Sequence, residues 1–205
     1  MGFVDQYEQI RTAIWCQGPG HVGFEALGKI LNGEVNPSGK TTDTFIYDMT
    51  TAPWWNNWEA TRYSNMEDMA VEGMNAGTAQ TYYPSFTNYV EGIYVGYKYY
   101  ETADDEGFIN YEGTVQYPFG YGLSYITFTQ EMSELTVNDG TISFDVTVKN
   151  TGDMAGKDVV EVYYNPPYTN GGIEKATANL IETISNPQQS WGDSWTQGAI
   201  NVVSN

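Results

Sequence analysis

Hydrophobic and polar positions along the chain change their period near its middle. In the first half, Val4, Tyr7, Ile10, Ile14 and Trp15 recur at near-helical spacing and run into Ala13-Ile14-Trp15-Cys16. This predicts a short helix feeding a buried strand, with Cys16 as packing rather than nucleophile. Gly18-Pro19-Gly20 breaks the chain. From His21 to Leu31 apolar residues fall at 22, 26, 27, 30 and 31, one face of an amphipathic helix, which Asn32-Gly33 should cap. Asn36-Pro37-Ser38-Gly39 reads as a turn and Thr44-Phe45-Ile46-Tyr47 as a strand. Between Thr50 and Ser85 the pattern dissolves among Trp54, Trp55, Trp58, Tyr63 and several methionines. A segment of that length is expected to be a functional loop or a lid packed on a neighbour. Tyr89 to Tyr100 is expected to be extended or irregular and buried, and the acidic run Glu101 to Glu106 exposed.

After Gln116 to Phe128, which holds five aromatic rings, two glycines and one proline in thirteen residues, the period becomes two. Leu135 and Val137 alternate with polar residues up to Asp139-Gly140, a strong hairpin turn. Ile142, Phe144, Val146 and Val148 then share one face, and Val160, Val162 and Tyr164 alternate again. Short strands at this spacing indicate an antiparallel sandwich. The fold class expected is therefore α/β followed by all-β, with Gln116 to Phe128 as the seam. Residues 186–205, including Trp191 and Trp195, carry no readable pattern.

Composition narrows the functions. The chain has 205 residues, 26 acidic against 8 basic, for a formal charge of −18. Such a surface repels phosphate backbones and anionic membranes, so nucleic-acid and membrane partners are not expected, whereas a neutral ligand such as a sugar is tolerated. One cysteine excludes an internal disulfide, and His21 as the sole histidine excludes a His-rich zinc site. No apolar run approaches the length of a membrane span. No basic n-region with an apolar stretch precedes the first elements, so no signal peptide is visible, and localisation stays open between the cytoplasm and secretion within a larger protein.

Three strings resemble chemistry-bearing motifs. Gly18-Pro19-Gly20-His21-Val22-Gly23 matches a dinucleotide fingerprint, with Asp43 about 20 residues on. However, Asp43 precedes the next strand instead of ending it, and a Gly-rich helix entry explains the string. Gly33 to Thr41 departs from a P-loop by one residue of spacing and follows a helix. Glu101, Asp104, Asp105 and Glu106 lack the spacing of a calcium loop. No cofactor and no metal are expected, and no catalytic residue can be assigned. For substrate contact the candidates are Trp54, Trp55, Trp58 and Tyr63, read either as a stacking platform for sugar or as ring packing.

Four strings in order nevertheless resemble glycoside hydrolase family 3. They are Ile14 to Lys40, with Gly18-Pro19-Gly20, Ala26-Leu27 and Asn36-Pro37-Ser38-Gly39-Lys40; Glu91-Gly92-Ile93-Tyr94-Val95-Gly96-Tyr97-Lys98-Tyr99-Tyr100; Tyr117-Pro118-Phe119-Gly120-Tyr121-Gly122-Leu123-Ser124-Tyr125; and Val148 to Val160. The resemblance implies a C-terminal fragment or subunit of a retaining, exo-acting β-glycosidase of β-glucosidase type, taking a neutral β-glucoside or oligosaccharide. It places the C-terminal part of an α/β sandwich domain at 1–125, a fibronectin type III-like domain at 126–185 and an unassigned tail at 186–205. The nucleophile would lie on a TIM-like barrel, in another domain or chain, and the chain alone would be inactive. The sandwich is expected to be truncated or completed from elsewhere, and the half domain to self-associate through an exposed edge. The alternatives are a non-catalytic carbohydrate-binding protein and a structural interaction module.

Overall fold

The computed structural model describes residues 2–18, 20–57, 61–185, 194–197 and 202–203. It is a mixture of small helices and antiparallel ladders. The elements in order are α1 (Gly23–Leu31), β1 (Phe45–Ile46), β2 (Thr61–Arg62), β3 (Val71–Asn75), β4 (Thr78–Tyr82), β5 (Ser85–Phe86), α2 (Tyr97–Asp105), α3 (Tyr111–Thr114) and β6 (Val115–Tyr117). Strands alone follow: β7 (Phe128–Met132), β8 (Thr136–Asn138), β9 (Thr141–Ser143), β10 (Val146–Asn150), β11 (Val159–Tyr164), β12 (Asn179–Ser185), β13 (Ser194–Gln197) and β14 (Val202–Val203). Every described ladder is antiparallel. No described helix is long and apolar enough to cross a membrane.

Helix α1 forms where the period of apolar residues predicts it. A Glu25–Lys29 pair one turn apart (2.7 Å) supports it, and Gly33, at φ +80°, ends it as the amide of Asn32 returns to the Gly28 carbonyl. Its apolar face is partly covered: Leu27 and Ile30 at the centre are half-buried, while Val22 and Leu31 at its edges, and Phe24 beside them, are exposed. Before it, a 3₁₀ turn at Val4–Gln6 is the one helical element among the described residues. The expected strand at Ala13–Cys16 is absent; β1 pairs with β6 and with no residue of this stretch. Trp15 instead lays its exposed ring edge-on against Phe45 at 5.6 Å. Cys16 is exposed, contrary to its expected role in packing.

The first core gathers Ile46, Ala52, Tyr100 and Val115, with Trp54, Trp55, Tyr99, Ile109 and Tyr111 packed around them. Tyr89 to Tyr100 departs from expectation in two ways. Tyr89, Val90 and Val95 are exposed, and Tyr97 begins a helix. Gly96 at φ +58° lets the chain turn into α2, and Tyr100 and Ala103, three residues apart, then face the core together. The patternless stretch 50–85 contains a hairpin of β3 and β4 turned at Ala76 and Gly77, both at positive φ. It shows no alternation because nearly all its positions are exposed on both faces.

In the second half, Val146, Val148 and Val160 are buried with Phe128, Phe144 and Val162 against them, the faces that the period of two predicts. The β8–β9 turn falls at Asp139 (φ +48°) and Gly140 (φ +73°), as read from the sequence. The sheets run β13-β10-β7, β14-β9-β8 and β11-β12. Two pieces of the unpatterned tail thus add strands to the edges of β10 and β9. Strand addition is written in backbone hydrogen bonds, which no side-chain pattern announces. Trp191 lies outside the described residues.

Candidate functional site

Three places in the molecule concentrate aromatic and polar groups. The first is the seam, whose strings the fold brings together in space. Thr41 is its hub: its amide donates to the Tyr121 carbonyl (2.7 Å), its carbonyl accepts from the Gly120 amide (2.8 Å), and its hydroxyl donates to the Pro118 carbonyl (2.7 Å). Asn36 Oδ1 accepts from Ser124 Oγ (2.9 Å) and from the Tyr125 amide (2.8 Å), and the Tyr125 hydroxyl donates to the Ile30 carbonyl (2.8 Å). Lys40 Nζ donates to the Gly122 carbonyl (2.9 Å) and stands 3.7 Å from Asp158 Oδ1. The lysine of the P-loop-like string is therefore engaged with protein.

The glycines of the junction are required by space. A Cβ on Gly122 would strike the Gly39 carbonyl oxygen, one on Gly152 the Ile126 side chain, and one on Gly156 the Asn36 amide. Gly120 has φ +77°, which a side chain would strain, and a Cβ there would displace the Glu161 carboxylate. Rings lock the same region from the other side. Tyr97 packs on Phe119 at 4.9 Å and edge-on to Tyr163 at 5.7 Å, and its hydroxyl accepts from the Leu180 amide (3.1 Å). The Tyr163 hydroxyl donates to Glu161 (2.7 Å). Burial first, then that bond and the Glu161 charge, push its pKa well above the ordinary tyrosine value.

The second place is the loop of the candidate sugar-binding residues. Trp54 and Trp55 are half-buried, 6.3 Å apart and packed on the first core. Tyr63 is exposed and packs on Phe86 at 4.9 Å where β2 meets β5. Trp58 lies outside the described residues. Among the described residues, the tryptophan pair packs on the first core and Tyr63 on Phe86. Asp43, candidate ribose ligand of the dinucleotide reading, accepts from its neighbour's amide at Thr44 (2.8 Å).

The third place has no precursor in the sequence reading. A cleft of about 700 Å³ opens between α2 with the turn that follows it and the segment 165–177. The walls are tied together: the Thr177 amide donates to Thr102 Oγ1 (3.0 Å), its hydroxyl to Asp105 Oδ2 (3.0 Å), and neighbouring Ala176 is buried. Tyr94, Tyr99, Phe108 and Tyr168 supply rings, and Asp105 and Glu106 supply carboxylates. Burial, followed by the charges of Glu174, Tyr168 and Glu106, raises the Tyr94 hydroxyl above its ordinary value, so it remains a neutral donor at physiological pH. Phe108 and Tyr168 are some 60 residues apart, and no local spacing links them. The visible clue was an aromatic just after the acidic run and another just after Pro166-Pro167. Among the described residues no group of His, Cys, Asp and Glu has the arrangement of a metal site.

No protein-family model matches the chain. Among curated proteins, a β-glucosidase of Ruminococcus albus is 34% identical over 168 residues, covering 82% of this chain and 14% of that protein. Thermostable β-glucosidase B of Acetivibrio thermocellus is 36% identical over 173 residues, covering 80% and 18%. Among solved structures, β-glucosidase 3B of Thermotoga neapolitana in complex with glucose is similar at a TM-score of 0.62 and 31% identity, covering 86% of this chain and 20% of that one. The chain thus spans less than a fifth of the length of these two curated relatives. Its homologues and structural neighbours are β-glucosidases of glycoside hydrolase family 3, matched over most of this chain.

Proposed function

We propose that this chain is a non-catalytic region of a retaining, exo-acting β-glucosidase of family 3, joining an α/β sandwich portion (1–125) to a fibronectin type III-like portion (126–185). The observation that carries this reading is the junction. The strings by which the chain resembles the family, Asn36 to Lys40, Tyr117 to Tyr125 and Ala155 to Asp158, spend their polar groups and glycines on one another. Their chemistry is positional: they hold two portions of a longer enzyme in one orientation. In this reading a barrel elsewhere in the enzyme supplies the nucleophile of a double-displacement reaction, which needs a second carboxyl group about 5 Å away. Trp54 and Trp55 are then packing residues. Tyr63 and Phe86, with rings partly open to solvent, are the part of the loop able to meet sugar at the rim of the enzyme's site. The exposed Val22, Phe24 and Leu31, flanking the half-buried centre of the apolar face of α1, support association with another part of the enzyme or a second copy.

The test is an assay of the purified 205-residue chain on p-nitrophenyl β-D-glucoside. No release above the buffer rate is expected. Turnover within the ordinary enzymatic range of about 1–1,000 per second would sink the non-catalytic reading.

A further inference from the structure

We propose that the cleft between α2 and the segment 165–177 binds a neutral saccharide. The choice of saccharide as ligand class rests on the reading of this chain as part of a β-glucosidase. The cleft itself rests on geometry. Its volume, about 700 Å³, falls within the range of roughly 300–1,000 Å³ common to small-molecule sites. Its two walls are tied together at Thr177, which bonds Thr102 and Asp105. Two rings at its rim are open to solvent: Tyr168 is 52% exposed and Phe108 is 81% exposed. That exposed ring surface is what the apolar C–H face of a pyranose can cover. The carboxylates of Asp105 and Glu106 are acceptors for sugar hydroxyls, and the neutral Tyr94 hydroxyl is a donor.

Charge excludes one competing class and weakens another. Asp105 and Glu106 line the cleft and Glu174 flanks it, while the Lys175 ammonium donates to the Pro167 carbonyl at 2.7 Å. Anions are therefore repelled. An organic cation would be attracted, but Asp105 and Glu106 are exposed, and ion pairs in that setting are weak and screened by salt. Stacking and hydrogen bonding, which a saccharide supplies together, are what the cleft offers most of.

The experiment is an amide ¹H–¹⁵N titration of the 205-residue chain with cellobiose, repeated on Tyr168→Ala and Phe108→Ala. Both rings are exposed enough for the fold to survive their removal. Saturable shifts at residues 105–108 and 165–177 are expected, with affinity weakened by about tenfold or more in each variant. Absence of shifts overturns the proposal, as do shifts confined to the Trp54–Phe86 loop and indifferent to Tyr168→Ala. Binding of tetramethylammonium at the cleft without any response to cellobiose also overturns it, in favour of a cation site. Hydrolysis of p-nitrophenyl β-D-glucoside by the same samples is read separately. It bears on the non-catalytic reading and not on the cleft.

Discussion

The junction and the cleft share tyrosines, phenylalanines and carboxylates, and use them in opposite ways. At the junction, Tyr97, Phe119 and Tyr163 lie against one another, and the Glu161 carboxylate accepts from Tyr163. At the cleft, Phe108 and Tyr168 face solvent, and Asp105 and Glu106 stand beside them exposed. A high density of aromatic residues therefore says little about function. What separates a binding surface from a locked junction is how much ring surface and how many lone pairs stay open. Glu161 is bound to Tyr163, whereas Asp105 gives one oxygen to Thr177 and is still exposed.

That contrast can be broken first at Gly122. Gly122→Ala drives a methyl group into the Gly39 carbonyl, a backbone atom that cannot rotate away, and is expected to destabilise the chain by about 3 kcal/mol in urea unfolding. Asn36→Ala is expected to cost about 2 kcal/mol, since it strips partners from Ser124 and from the Tyr125 amide. A loss under about 0.5 kcal/mol in both would erase the junction's distinction. Alkaline unfolding sharpens the contrast on the buried side. Burial, and then the neighbouring Tyr99 and Asp43, push Tyr100 up to about 12 from 10.0. Because the folded value is the higher, the stability it contributes is complete below pH about 10 and is lost as pH rises toward about 12. Tyr100→Phe should flatten that decline in pH-dependent melting. The smallest effect belongs to the cleft: Phe108→Ala should change stability by no more than about 0.5 kcal/mol, and a loss above about 2 would mark that ring as core.

What was legible in the sequence was whatever depends on neighbours along the chain. Helix α1 declares itself by period and by its Gly33 stop, and the β8–β9 turn by Asp139-Gly140. The inward faces of β10 and β11 follow from Val146, Val148 and Val160. The β3–β4 hairpin was hidden because its residues are exposed on both sides and so carry no alternation. Helix α2 was masked by Tyr97, Tyr99 and Tyr100, which have strand propensity but are held helical where Tyr100 enters the core. Trp54 and Trp55 were picked out by type, yet their packing on Ile46 and Val115 is a matter of tertiary distance. The same holds for the seam. Its glycines were visible, but not that Gly122 must admit a backbone more than 80 residues away in the chain.

The claim that the family-like strings serve one another is tested most directly by a double-mutant cycle on Asn36→Ala and Ser124→Ala, followed by urea unfolding of the 205-residue chain. The 2.9 Å bond between these side chains predicts a coupling of about 1 kcal/mol, so that the double variant loses less than the sum of the two. Losses that simply add would mean that the two strings do not act on each other, and the junction would not be the unit described here.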